Sequence, residues 1–189
     1  MYCDPYQFDF VKTLEANWLS VRQELSQLRD CDFLTYPEKY LLDGKTGWDI
    51  YGIYFLGVRI DLNCEQCPET ARLVQAIPGI ITAGFSRLAA GAHIVPHSGK
   101  PVGVLRCHMG LDVPEKCGLR VGSEIKPWQA GKCLVFDDTS EHEAWNLSDR
   151  HRDVMLLDFC VPAGTQARDY YSTAPKAAES LESAASSLT

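Results

Sequence analysis

PHSGKPVGVLRCHMGL (residues 96–111) and FDDTSEHEAWN (residues 136–146), the second leading into RHRDVMLLDFCVP (residues 150–162), decide how this chain folds. Each places a histidine in a polar turn beside an apolar, β-prone run. Outward from them, similar runs recur at 80–88, 93–96, 102–111, 118–121, 132–137, 143–146 and 152–161, separated by turns. Such even spacing predicts an antiparallel sandwich or barrel. Within the first stretch, alternation puts Arg106 and His108 on one face of a strand and Leu105, Cys107, Met109 and Leu111 on the other. An inward Arg–His face needs an anion or hydrogen-bond partners. An outward one needs only water. The residues alone leave both open.

Upstream of residue 80 the texture differs. Leu14, Trp18, Val21, Leu25 and Leu28 form one apolar stripe, which predicts an amphipathic helix of roughly twenty residues that packs on the back of a sheet. Residues 31–49 are broken by Pro37, Gly44 and Gly47 and are expected to be mostly loop. Residues 51–62 are rich in aromatic and β-branched side chains and predict a strand or two. Pro68 opens a short helix that turns Leu73 and Ile77 inward and stops at Pro78-Gly79. The expected organisation is one domain over residues 1–165, with helical cover at about 8–79 and a barrel core at about 80–162. Residues 166–189 form a flexible or weakly helical tail.

The 189 residues suffice for one domain with a sizeable core. A net charge of −7 argues against nucleic acid or an anionic membrane as partner. No apolar run reaches the ~18 residues of a membrane helix. Residues 1–11 carry acids where a leader would be basic and apolar. A cytoplasmic protein with no nucleic-acid or membrane partner is the expectation, its oligomeric state open. The eight cysteines are then free thiols, not a disulfide framework. Cys107, Cys133 and Cys160 are expected to be buried, and Cys64-x-x-Cys67 to be structural, since it lacks a second ligand pair.

His97 and His142 occupy matching contexts, each in a polar turn next to an apolar strand. The alternatives are a shared metal site and two surface histidines. His93 and His151 lack such context and are assigned to the surface.

Across PHSG, LRCHMGL, W-x-x-GK-x-L-x-FDD (residues 128–138), EHEAWN and RDVMLLD, the sequence resembles the aspartyl/asparaginyl β-hydroxylase family of Fe(II)- and 2-oxoglutarate-dependent oxygenases. The resemblance runs from about residue 64 to 162. It implies a mainly β fold, a double-stranded β-helix or cupin-like jelly-roll barrel with flanking N-terminal helices. It implies His97 and His142 as iron ligands. Ser86, His108 and Arg152 are implied as residues that bind 2-oxoglutarate, and Arg106 as the arginine that faces the substrate. Imidazole suits Fe(II), and a guanidinium fork suits a carboxylate. The implied reaction is hydroxylation, with O2, of an unactivated C–H bond, at a carbon β to a carbonyl. The substrate would be an amino acid, a peptide or a small carboxylate-bearing metabolite, and succinate and CO2 would be released.

Two positions depart from the wider pattern. Gly99 stands where many such oxygenases carry a carboxylate. Animal aspartyl hydroxylases share this feature, and so do halogenases, so a halogenase is one alternative. An aspartate placed at Gly99 is expected to fit a hydroxylase. Val104 replaces an arginine that, in the animal enzymes, helps to hold the substrate carboxylate. A non-catalytic barrel that binds a small carboxylate is the alternative outside enzymes.

Overall fold

The strand runs close into two antiparallel sheets with a cavity between them. The computed structural model describes residues 1–44, 47–99 and 103–170. Its strands are β1 (Tyr2–Cys3), β2 (Leu34–Thr35), β3 (Trp48–Phe55), β4 (Val58–Arg59), β5 (Ile80–Leu88), β6 (His93–His97), β7 (Val104–Asp112), β8 (Cys117–Val121), β9 (Glu124–Lys126), β10 (Cys133–Asp137), β11 (His142–Asn146) and β12 (Arg152–Cys160). The major sheet runs β1-β10-β7-β12-β5-β3-β2, with β4 on β3, and the minor sheet runs β6-β11-β8-β9. Every pairing within the two sheets is antiparallel. This is a double-stranded β-helix, the jelly-roll barrel implied by the resemblance and one of the antiparallel forms expected from the strand rhythm.

The major sheet is covered on both faces. Tyr2, Trp48, Leu88, Ile94, Leu119, Phe136 and Val154 fill the space towards the minor sheet. Phe85, Leu105, Cys107, Met109, Met155 and Leu157 pack on the other face, with Val11, Leu14, Val21, Leu25, Leu73 and Val74 of the helices. The face of β7 that carries Arg106 and His108 is therefore interior, not solvated.

The helical cover differs from expectation in one place. The stripe 14–28 is not one helix but two, α1 (Asp9–Ala16) and α2 (Trp18–Gln27), broken at Asn17. At the break the Asn17 backbone leaves the helical region, its amide donates to the Leu14 carbonyl, and its side-chain amide donates to the Thr13 carbonyl at 2.8 Å, which together end α1. α3 (Asp61–Gln66) and α4 (Pro68–Gln75) follow β4. The division at residue 80 is also redrawn. β1 to β4 precede that residue, yet they belong to the major sheet. Cys64 and Cys67 are buried free thiols, whereas Cys160 is exposed, contrary to expectation. Ala167–Tyr170 forms a 3-10 turn whose Tyr170 ring lies 4.9 Å from Phe8. The rest of the expected tail, residues 171–189, lies outside the described residues.

α4 has no side-chain cap of its own. Glu24 of α2 supplies one. Its carboxylate accepts from the Glu69 and Thr70 amides at 2.8 Å each and from the Thr70 hydroxyl at 2.6 Å. A carboxylate on the open amides of a helix N-terminus satisfies orphan donors and opposes the helix dipole. Glu24→Ala is expected to lower stability by about 2 kcal/mol and Glu24→Gln by about half that. The midpoint of urea unfolding measures both. An unchanged midpoint for Glu24→Ala would show that this contact does not hold α2 on α4.

Candidate active site

Period-two alternation on the inner faces brings Ser86, His97, Arg106, His108, His142 and Arg152 onto one cavity between the sheets. Trp48, Ile94, Leu119, Ala144 and Leu156 complete its wall. The cavity is narrow, about 20 Å³, little more than the space of one water.

The histidines sit near its mouth. β11 pairs with β6 so that His142 stands opposite His97, with ring centroids 4.2 Å apart. Nδ1 of His97 lies 2.8 Å from the Val95 carbonyl, and Nδ1 of His142 lies 2.8 Å from the Ser140 carbonyl. A carbonyl can only accept, so each Nδ1 carries the proton and each Nε2 keeps its lone pair. Burial pushes His142 down to about 3, which keeps its imidazole neutral. Among the described residues, no three His, Cys, Asp or Glu side chains are arranged to hold a metal ion. The candidate ligand set is the histidine pair.

Asp138, which the sequence reading did not single out, lies beside that pair. Its Oδ1 is 3.4 Å from His142 Nε2 and 2.8 Å from Arg106 Nη1. A Cβ built on Gly99 would lie 1.6 Å from Asp138 Oδ2. The place of a carboxylate side chain at position 99 is therefore taken by a carboxylate from a different turn. The two turns are joined where the Gly99 amide donates to the Asp138 carbonyl at 2.8 Å. Gly99→Asp, expected from the sequence to fit, would drive the Asp138 carboxylate off Arg106.

Arg106 lines the cavity, but its guanidinium is engaged. Nε and Nη2 donate to the two oxygens of Asp158 at 2.7 and 3.0 Å, and Nη1 faces Asp138. The expected arginine free to meet a substrate carboxylate is thus already matched by two carboxylates. Over this end, residues 36–42 pass from sheet to sheet. Tyr36 stacks on Trp48 at 3.7 Å, and Leu42 bridges to Ile94.

The deep end carries the opposite charge. Arg152 is 1% exposed, and no carboxylate of the described residues reaches it. Asp153 points to the other face and holds Arg87 at 2.9 and 3.1 Å. Burial pushes the Arg152 guanidinium down to about 10, so it remains a cation at neutral pH. It stacks 4.6 Å from the Trp128 ring. Ser86 Oγ accepts from Trp48 Nε1 at 3.1 Å. Among the described residues, the buried side-chain N and O atoms without a hydrogen-bond partner are Arg152 Nε, both ring nitrogens of His108 and Trp128 Nε1, apart from Asp138 Oδ1, which lies in the ion pair with Arg106. All belong to this one site. Each orphaned buried group costs about 1–3 kcal/mol, so their concentration here marks a place where a ligand supplies the partners. Trp128 and Asp138 lay inside the quoted W-x-x-GK-x-L-x-FDD stretch. Trp48 fell in the stretch 31–49 expected to be mostly loop, whereas it opens β3. His93 and His151 stand apart from the cavity, paired with Glu143 at 2.8 Å and Asp153 at 3.6 Å.

The model of the aspartyl/asparaginyl beta-hydroxylase family matches residues 15–162. An ornithine lipid ester-linked acyl 2-hydroxylase of Rhizobium tropici is 37% identical over 174 residues, covering 87% of this chain and 62% of its own. The human aspartyl/asparaginyl beta-hydroxylase is 34% identical over 163 residues, covering 82% of this chain and 21% of its own. Human aspartate beta-hydroxylase domain-containing protein 2 is 31% identical over 176 residues, with coverages of 85% and 48%. The chain thus spans less than two thirds of the length of these relatives. With most of its length inside the family model and the relatives named as hydroxylases, the chain belongs to the aspartyl/asparaginyl beta-hydroxylase family.

Proposed function

We propose that the chain is an Fe(II)- and 2-oxoglutarate-dependent hydroxylase that acts on a C–H bond near the carbonyl of an acyl chain. The observation that carries this reading is Arg152, a buried cation that no carboxylate of the described residues reaches, at the closed end of a cavity whose mouth holds two histidines with their Nδ1 atoms on backbone carbonyls. The donor set fits the two groups. The Nε2 lone pairs of His97 and His142 suit Fe(II). The Arg152 fork suits the distal carboxylate of a 2-oxo dicarboxylate, with the Ser86 hydroxyl and His108 placed to orient it. When bound, the iron and its cosubstrate supply the O2-dependent oxidation.

The residues of the chain set what is oxidised. Asp138 and Asp158 neutralise Arg106, and Val104 adds no second cation, so among the described residues that line the cavity the mouth offers no free partner for a substrate carboxylate. This favours an uncharged reacting segment over an aspartyl one. The acyl chain named in the Rhizobium relative is of that kind. The same Asp138 carboxylate disfavours a halide beside the histidines, because like charges in a partly buried space repel. Hydroxylation is therefore preferred to halogenation.

His97→Ala and His142→Ala are each expected to abolish Mn(II) binding in calorimetry while the far-UV spectrum stays that of the parent. A variant that still binds Mn(II) tightly would be removed from the ligand set.

Arg152→Met carries a two-sided expectation. It removes a charge-assisted bidentate contact, so 2-oxoglutarate binding should weaken by about 2–5 kcal/mol, roughly thirtyfold or more. It also removes an unpaired buried cation, so the ligand-free fold should be as stable as the parent or more stable. Unchanged 2-oxoglutarate affinity would refute the assignment of Arg152.

A further inference from the structure

β3 and β4 form a hairpin with a two-residue loop, Phe55 pairing with Val58. The loop residues Leu56 and Gly57 have φ of 50° and 79°. Two positive φ values define a type I′ turn, whose first position favours asparagine, aspartate or glycine. Leucine there is held in the left-handed region against its steric preference. The strained side chain is not buried in return. Leu56 is 70% exposed, Phe55 55% and Val58 67%, and Leu62 at the start of α3 is 75% exposed. Residues 50–58 contain no charge. At the base of the hairpin, Arg59 and Asp61 neutralise each other at 2.8 Å.

The turn also has a definite place relative to the site. Tyr54 pairs with Ala83, and the Gly57 amide donates to the Ile81 carbonyl at 2.7 Å. Thr82 pairs with Asp158, and Asp158 with Arg106. The turn thus lies at the Arg106 end of the sheet, three strands across, roughly 14 Å away at ordinary strand spacing.

We propose that this turn is an anchor that dips into the surface of an uncharged lipid bilayer and sets the cavity mouth against it. Its purpose rests on the acyl-chain reading above; its existence does not. The hairpin tip offers three exposed apolar side chains, Phe55, Leu56 and Val58, with Leu62 of α3 as a fourth, too little area for a stable protein interface but enough for interfacial insertion. A net charge of −7 disfavours anionic surfaces, so the contact is apolar and not electrostatic. This revises the expectation of no membrane partner.

The test is sedimentation of the full chain with phosphatidylcholine vesicles. The parent is expected to co-sediment to the same extent in low and high salt. Leu56→Asn removes the apolar tip and supplies the residue the turn prefers. It is therefore expected to reduce vesicle binding on the order of tenfold while the melting temperature holds or rises. A solely structural role for Leu56 would instead leave binding unchanged. Several results would overturn the anchor. These are no binding by the parent, equal binding by Leu56→Asn, binding only to anionic vesicles at low salt, or a self-association that Leu56→Asn abolishes. Measuring hydroxylation of a detergent-solubilised acyl lipid separates the two claims. Turnover without vesicle binding sinks only the anchor, and vesicle binding without turnover sinks only the acyl-chain reading.

Discussion

A guanidinium buried against a tryptophan face, with no carboxylate opposite it, is the constraint the rest of this structure serves. Arg152 opens β12, the strand laddered between β5 and β7 near the middle of the major sheet. Asp153 follows it and faces the other way, into the pair with Arg87. A slip of one residue would turn the aspartate inward and the arginine outward. The Asp153–Arg87 pair on the helix-side face therefore fixes the direction of Arg152 on the cavity face. The energy for holding an uncompensated cation there comes from the two ladders and from the apolar contacts of Val154 and Leu156 along the same face.

Covering the major sheet on both faces is what makes such a site rigid. The helices bury one face, and the minor sheet encloses the other. The histidines are borne by paired strands, and a backbone carbonyl fixes each ring. Outside the strands, site geometry is carried by Trp128 and by the short turns around Gly99 and Asp138, and those two turns are bonded to each other. Functional groups on strands keep their positions better than groups on free loops.

Much of this was legible in the sequence where the physics is local. Strand positions after residue 80 followed from alternation and turn residues, and the two polar turns pointed to His97 and His142. The face of Arg106 and His108 stayed ambiguous because both faces of β7 are buried, so hydrophobic alternation could not say which side met water. The break at Asn17 was hidden because the apolar stripe continues through it, and the backbone turn at Asn17, with its side-chain bond to Thr13, ends the first helix. The role of Asp138 could not be read because it depends on two turns, forty residues apart, meeting in space. Glu24 capping a helix forty-five residues away is illegible for the same reason.

Along the cavity the charges are ordered. The closed end has a cation that meets no carboxylate of the described residues, and the mouth has the His97–His142 pair and one guanidinium facing two carboxylates. Among the described residues of the cavity, Arg152 is the cation that an entering anion could meet without displacing a carboxylate. A second carboxylate at the mouth would have to break the Arg106–Asp158 fork, two charge-assisted hydrogen bonds in a buried setting, to be held. The arrangement thus grades the cavity by charge, with a cation that meets no carboxylate of the described residues at one end and a neutralised guanidinium at the other. Gly99 is part of that order. Its missing side chain leaves room for Asp138, and Asp138 completes the neutralisation of Arg106, so the absent carboxylate at one position and the occupied arginine at another are one feature of the fold.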